Sequence, residues 1–99
     1  MQIDVKLTPG SDGWVARVSV TDKTSSTRHR VTLKRQDYER LSQDRCSPEQ
    51  CVRTSFEFLL EREPKESILR KFDLTVIGRY FPEYEAELAR RLSSIGTGD

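Results

Sequence analysis

Three successive segments of the first 34 residues alternate apolar and polar side chains, and this pattern restricts the fold more than any other feature of the sequence. The segment 2–8 places Ile3, Val5 and Leu7 on one side, and 14–21 and 28–34 continue in the same way. A period of two sends neighbouring side chains to opposite faces of an extended chain. We therefore predict three strands, each with one buried side and one side that faces solvent.

Turn residues separate these three segments. The stretch 9–13 reads "PGSDG" and contains Gly10 and Gly13, which adopt positive φ without steric cost, whereas 22–26 reads "DKTSS" and is a polar loop. Short connections between alternating segments are typical of antiparallel hairpins. The pattern therefore predicts an antiparallel meander with a single apolar face.

The hydrophobic period changes after residue 46. The stretch 47–50 reads "SPEQ", in which Ser47 is a good N-cap, proline suits the first helical position and Gln50 completes a capping box. Pro64 disfavours helical geometry in the residue before it, so we predict a helix over 48–62. This helix is expected to cover the sheet. Its apolar stripe consists of Cys51, Val52, Phe56, Leu59 and Leu60, with Phe58 at the border.

Weaker helical patterns lie on both sides of this helix. Short helices are predicted over 35–44 and 65–72 from the spacing of their apolar residues. The stretch 73–81 fits two structures, a helical turn that begins at Asp73 or a fourth strand at 74–77, and we favour the helix. A last helix is predicted over 82–92, with Pro82 at its start. Its buried side consists of Tyr84, Leu88 and Leu92.

Together these elements predict an α+β fold, a three-stranded antiparallel β-meander packed on one face by C-terminal helices. We expect the meander to occupy 2–34 and the helices 35–93, within a single compact domain over 1–95 and ahead of a disordered tail at 96–99. A chain of 99 residues buries somewhat over ~60% of its unfolded surface, which is enough for one core.

Charge and hydropathy limit the partners and the cellular location that we expect for this protein. The net charge is +1, but residues 1–45 hold nine Lys and Arg against six Asp and Glu (+3), and residues 46–99 hold eight against ten (−2). Contact with nucleic acid would therefore need a local patch, not a bulk charge. Asp4 and Lys6 interrupt the N-terminal apolar pattern, and no stretch approaches the ~20 apolar residues of a membrane span. We predict a cytoplasmic protein without membrane contact.

Few residues have the chemistry that catalysis requires. His29 is the only histidine, and its place in the alternation favours a packed or capping role. Cys46 and Cys51 are expected to be reduced thiols, because two cysteines make neither a disulfide framework nor a complete metal site. Glu83 and Glu87 share a face that is predicted to be solvated. The sequence therefore favours a protein that is not an enzyme and needs no cofactor or metal.

One surface has a composition that suits phosphate contact. The outward residues of the three strands are mostly basic, and Asp4 is the one acidic member among them. Such a face can meet phosphates or can simply be the solvated side of a sheet, and the absence of aromatic residues disfavours base stacking. The candidate contacts are Lys6, Arg17, Arg28, Arg30, Thr32 and Lys34.

A second candidate surface is aromatic. Tyr80, Phe81 and Tyr84 lie close together in the C-terminal third, and exposed aromatic side chains are typical of protein contacts. An unidentified protein is the partner that we favour, nucleic acid is the alternative, and a homodimer is a further option.

Two stretches resemble known families. The segments "DGWVARVSV" at 12–20 and "SPEQCVRTSFEFLLERE" at 47–63 resemble the strand pair and helix of HicB-like antitoxin domains, which implies a small bacterial module that binds a partner protein. The order from "RHRVTLKRQDYERL" to "CVRTSFEFLLER" is similar to that of ribbon-helix-helix repressors. That resemblance implies that Arg28, Arg30 and Thr32 would read DNA.

The sequence thus predicts a non-enzymatic bacterial binding or regulatory module that acts through protein contact, of HicB-like antitoxin type. The alternative is a nucleic-acid-binding repressor that uses the basic sheet face. The C-terminal third belongs to neither pattern and resembles only small bacterial proteins of unassigned activity.

Overall fold

The computed structural model describes residues 1–96, with side chains described to residue 93. The strands β1 to β4 are Gln2–Gly10, Gly13–Thr21, Ser26–Lys34 and Lys71–Asp73. They form one sheet in the order β1-β2-β3-β4. The α-helices α1 to α4 are Arg35–Ser42, Pro48–Leu60, Ile77–Tyr80 and Tyr84–Gly96. Two short 3-10 helices occupy Lys65–Ser67 and Leu74–Val76. The α+β class predicted from the sequence is confirmed.

The antiparallel meander is confirmed, and a tight hairpin begins it. Gly10 pairs with Gly13 across a two-residue turn, and β2 in turn pairs antiparallel with β3. Gly13 has φ +144°, and a Cβ at this position would lie 2.2 Å from the Leu33 carbonyl oxygen. Only glycine fits there, because both the backbone angle and the close approach of β3 exclude a side chain.

A fourth strand corrects the predicted three-stranded sheet. β4 pairs in parallel with β3, with Arg30 opposite Lys71 and Val31 opposite Phe72. The N–H of Arg30 also donates to the Arg70 carbonyl at 2.7 Å. The sheet is therefore mixed. A strand of three residues is too short to show a period of two, and its partner lies about 40 residues earlier, so no local pattern indicates the pairing.

The helix predicted over 65–72 was wrong for the same reason. One 3-10 turn forms at Lys65–Ser67, and the chain then extends into β4. The spacing of Ile68 and Phe72 is that of a helix. Both side chains are nevertheless buried in an extended segment that leads into β4 and pairs with β3. In contrast, the helix favoured for 73–81 is confirmed as a 3-10 turn followed by α3, with the Asp73 carboxylate accepting from the Thr75 N–H at 3.0 Å.

The helix α2 begins as predicted. The Ser47 hydroxyl accepts from the Gln50 N–H at 3.2 Å, and the Gln50 side chain accepts from the Ser47 N–H at 3.1 Å, so both halves of the capping box are present. The helix ends at Leu60, two residues before the predicted end. In its predicted stripe Cys51, Val52, Phe56 and Leu59 are buried and Leu60 is half-buried. Phe58 is fully buried because Tyr84 of α4 packs against its ring.

The apolar face of the sheet packs against the helical layer, and the opposite face is open. In β3 every second residue is buried, and the residues between them are exposed. On α4 the predicted stripe of Tyr84, Leu88 and Leu92 is fully buried. α4 continues to Gly96, so of the tail predicted at 96–99 the residues 97–99 lie outside the described part. Among the helices of residues 1–96, none combines the length and the apolar character that crossing a bilayer requires.

Candidate functional site

Four basic residues form a row across the open face of the sheet, one from each strand. Lys6 lies opposite Arg17, Arg17 opposite Arg30, and Arg30 opposite Lys71. All four are exposed. Neighbouring strands are about 4.8 Å apart, so the row spans about 14 Å at the level of the backbone. We call these four residues the cation row.

Further basic residues adjoin the cation row. Arg28 lies one step along β3 on the same face, and Arg70 precedes Lys71. These residues line a shallow depression of about 480 Å³. Its lining consists of Asp4, Lys6, Arg17, Val18, Ser19, Arg28, His29, Arg30 and Arg70. The fold therefore concentrates positive charge at the centre of the open face.

The structure places the other two candidates of this face apart from the depression. Thr32 is exposed and lies between Val15 on β2 and Asp73 on β4. Lys34 is exposed at the end of β3, four residues and about 13 Å from Arg30, and lines a separate depression near the first hairpin. Of the six candidates that the sequence indicated, Lys6, Arg17, Arg28 and Arg30 thus form one cluster.

Arg70 and Lys71 were missed by the sequence reasoning. They were assigned to a short helix, whereas β4 carries Lys71 beside Arg30. The only signal in the sequence was the order Arg70, Lys71, Phe72, in which two basic residues precede a buried aromatic residue. That order is equally compatible with a helix, so it did not identify the strand.

The cation row has no acidic partner among the described residues. Five arginines of the helical layer do have one: Arg40 with Glu85, Arg53 with Glu49, Arg62 with Glu83, Arg90 with Glu87 and Arg91 with Glu61. No ion pair joins any member of the cation row to a described carboxylate. Like charges directly opposite each other on a sheet are destabilising. The row therefore has a cost for the free protein that an anion would relieve.

His29 lies beneath this face and fixes the segment that carries Arg70. Its Nδ1 donates to the Leu69 carbonyl at 2.7 Å, because a carbonyl can only accept, and its Nε2 therefore accepts from the Thr27 hydroxyl at 2.9 Å. The ring is buried and contacts Phe56. Burial lowers the pKa of His29, with Arg70 acting in the same direction against the Leu69 hydrogen bond. The packed role predicted for His29 is confirmed.

The aromatic surface predicted in the C-terminal third needs one correction. Tyr84 is fully buried, and its hydroxyl hydrogen-bonds to that of Ser55 at 2.7 Å, so it cannot contact a partner. The position begins α4, whose apolar stripe turns the ring into the core. Tyr80 is 67% exposed and Phe81 is half-buried. These two residues and the exposed Leu69 line an apolar groove of about 240 Å³.

The two thiols are at least partly buried, and the carboxylates of Glu83 and Glu87 are paired with arginines. Burial raises the pKa of both cysteines, that of Cys51 to about 12, which disfavours the reactive thiolate. Hydrogen bonds from Arg90 and Arg91 lower the pKa of Glu87 to about 2, and Glu83 pairs with Arg62. Within the part of the chain that the structure describes, no group of three or more His, Cys, Asp or Glu residues is arranged to hold a metal ion.

Comparisons with protein-family models, with curated proteins and with solved structures found no match to this chain. The resemblances to HicB-like antitoxins and to ribbon-helix-helix repressors therefore stay predictions from the sequence, and any function must be argued from the geometry of the cation row and its surroundings.

Proposed function

We propose that this protein is a binding module that contacts nucleic acid through the open face of its sheet. The observation that supports the proposal best is the cation row, Lys6, Arg17, Arg30 and Lys71, which has no carboxylate partner in the described chain. Phosphates of a nucleic-acid backbone would supply the missing negative charge and release counterions on binding.

The composition of the face favours contact with the backbone over base readout. The outward residues of the sheet include no aromatic side chain, so stacking on unpaired bases has no platform there. Lys6, Arg17 and Arg30 of the cation row line a shallow depression in the sheet and do not project on a helix or ribbon. We therefore expect binding with little sequence preference and a steep dependence on salt.

β3 could not pair with a second copy in the way that the repressor resemblance implies. It lies between β2 and β4, so β2 occupies one edge along its whole length and β4 occupies the other edge at Arg30–Thr32. Arg28, Arg30 and Thr32 can still face a ligand, but they would do so from the middle of a four-stranded sheet. A duplex laid across the strands would meet Lys6 and Lys71 as well.

Fluorescence anisotropy with labelled mixed-sequence duplex DNA, duplex RNA and single-stranded DNA tests this proposal. Four phosphate contacts predict a weakening of about 100-fold in affinity for B-DNA between 50 and 200 mM salt. The double variant Arg17→Glu, Arg30→Glu removes the centre of the cation row and should abolish measurable binding. Its matched control, Lys23→Glu and Arg79→Glu, makes the same change of charge at two exposed residues outside the row and should bind more tightly than the first variant.

Two results would contradict the proposal. One is equal loss of affinity in both double variants, since that would reflect net charge and not this face. The other is tight binding of polyglutamate with no binding of any nucleic acid, since that would assign the cation row to an acidic protein.

Protein contact through the apolar groove is the second candidate function. Leu69 and Tyr80 are 46% and 67% exposed at its margin, although both are large apolar side chains. A partner with an apolar segment would cover them. Co-purification of a partner with the wild-type chain, lost in Tyr80→Ala and retained in Arg17→Glu, would favour this function over the first.

A further inference from the structure

β1 forms one edge of the sheet, and its outward backbone groups have no partner among the described residues apart from the Ile3 carbonyl, which accepts from Arg53. The Arg35 N–H donates to the Asp12 carbonyl, so these two opposite residues form a hydrogen-bonded pair. Hydrogen-bonded pairs alternate along an antiparallel ladder, so the even-numbered residues of β2 bond to β3 and the odd-numbered residues bond to β1. The even-numbered residues of β1 therefore bond to β2. Ile3, Val5 and Leu7 direct their N–H and C=O groups away from the sheet.

The side chains of the same three residues are only half-buried. Ile3, Val5 and Leu7 lie at the margin of the apolar face, where the helical layer no longer covers the sheet completely. A strand of nine residues that is unpaired along one side and has an apolar row at its margin is a template for the addition of another strand.

We infer that β1 pairs antiparallel with β1 of a second copy of this chain, about a two-fold axis at Val5. The two Val5 residues would exchange both of their outward hydrogen bonds, and Ile3 of each copy would do so with Leu7 of the other. The side chains of these residues would pack across the axis and complete the cover of the apolar margin. The interface is isologous, as closed dimers require.

The charges on the open face select this register. Asp4 lies opposite Ser19 and Lys6 opposite Arg17, so neither has an oppositely charged residue across from it in its own chain. With the axis at Val5, Asp4 of each copy lies directly opposite Lys6 of the other. Cross-strand pairs of opposite charge are favourable and like-charged pairs are not.

The other registers that use the outward groups are less favourable. An axis at Asp4 or at Lys6 would place two like charges directly opposite each other. An axis at Leu7 would set Val5 against Pro9, which has no N–H to donate. An axis at Ile3 would leave Lys6 beyond the end of the pairing.

Arg53 is the one described side chain that hydrogen-bonds to the outward groups of this edge. Its guanidinium donates to the Ile3 carbonyl, while no described side chain makes such a contact with Val5 or Leu7. A carbonyl oxygen accepts two hydrogen bonds, so the Ile3 oxygen can also receive the N–H of Leu7 from the second copy. The contact area is one strand with its side chains, so the dimer should be weak, with a Kd in roughly the micromolar range.

Sedimentation velocity over about 1 to 500 µM chain tests the inference across that range of affinity. The wild-type protein should shift from monomer to dimer. Asp4→Lys sets cations opposite one another around the axis and should raise Kd about tenfold or more, whereas the swap Asp4→Lys, Lys6→Asp restores opposite charges and should restore the dimer. Glu39→Lys is the matched control, because Glu39 is exposed on α1 and makes no described ion pair.

Val5→Pro supplies a variant that does not depend on charge. It removes the outward N–H at the axis but no bond to β2, so circular dichroism should show a folded monomer. A wild-type chain that stays monomeric up to the highest concentration would overturn the inference. A dimer that neither Asp4→Lys nor Val5→Pro weakens would also overturn it, since the interface would then lie elsewhere.

Discussion

At the scale of single residues, His29 connects the core to the candidate site. Its ring is fixed by hydrogen bonds to Leu69 and Thr27, and the Leu69 bond holds the chain just before Arg70. In the neutral ring Nδ1 donates to the Leu69 carbonyl and Nε2 accepts from the Thr27 hydroxyl. Protonation would give Nε2 a hydrogen and would charge a buried group.

Stability should therefore depend on pH through His29. Burial lowers its pKa in the folded state below the ordinary value of 6.5, so the unfolded chain binds the proton first. The free energy of unfolding should be highest above about pH 6.5 and should fall as the pH drops from 7 to 5, by at most about 1.4 kcal/mol per pH unit. Urea unfolding at each pH measures this slope.

The variant His29→Gln should flatten that slope, because glutamine does not titrate. The carboxylates with lowered pKa, Asp22, Glu61, Glu66 and Glu87, contribute only as the pH falls below about 4.5 and so do not interfere in this window. A slope that persists unchanged in the variant would show that another group is responsible.

Gly13 allows a second prediction at this scale. Gly13→Ala should lower the free energy of unfolding by about 2–4 kcal/mol, because the new Cβ would meet the Leu33 carbonyl and the backbone angle is unsuited to a side chain. Gly10→Ala is the matched control. The nearest atom to its Cβ is 3.7 Å away, so its effect should stay within about 1 kcal/mol. Thermal and urea unfolding of both variants would detect the difference, and equal effects would contradict this explanation.

At the scale of elements, the start of α2 was predictable because all of its signals are local. Ser47, Pro48 and Gln50 form the N-cap, the first helical residue and the capping box, as the sequence indicated. The stripe that follows has the period of a helix. β4 had no comparable signal, because its three residues are defined by pairing with β3 and not by a period of their own.

The capping box gives a prediction for this element. Ser47→Ala removes the acceptor of the Gln50 N–H and should lower the free energy of unfolding by about 1 kcal/mol. Ser47→Asp retains an acceptor and places a negative charge at the positive end of the helix, so it should be close to wild type. Urea unfolding distinguishes the two, and equal losses would show that the side-chain acceptor is not what stabilises the helix start.

At the scale of the whole molecule, charge is distributed unequally between the two layers. Arg62 pairs with Glu83 and Arg91 pairs with Glu61, and these pairs join the residues just after α2 to α4 and to the residue before it. The open face of the sheet concentrates cations without such partners. A protein that retains destabilising charge at one place commonly does so for binding.

This distribution predicts that loss of binding and gain of stability occur together. Arg17 lies opposite two residues of like charge, Lys6 and Arg30. Arg17→Glu therefore turns two like-charged cross-strand pairs into two pairs of opposite charge. The free energy of unfolding should rise by about 0.5–1 kcal/mol at low salt and by less at high salt. Thermal unfolding at two salt concentrations measures the change, and Arg17→Gln should give an intermediate value. A destabilised Arg17→Glu variant would contradict the view that the cation row costs the free protein stability.

The elements that depend on neighbours in the chain were predictable from the sequence. The alternation in 2–34, the two turns and the start of α2 are local patterns, and they also placed Arg17 and Arg30 on the solvent side of the sheet. The contacts between distant segments became known from the three-dimensional structure. It placed Lys71 beside Arg30 and buried Tyr84, because these outcomes depend on which surfaces meet, and contacts between residues far apart in the chain leave no period in the sequence.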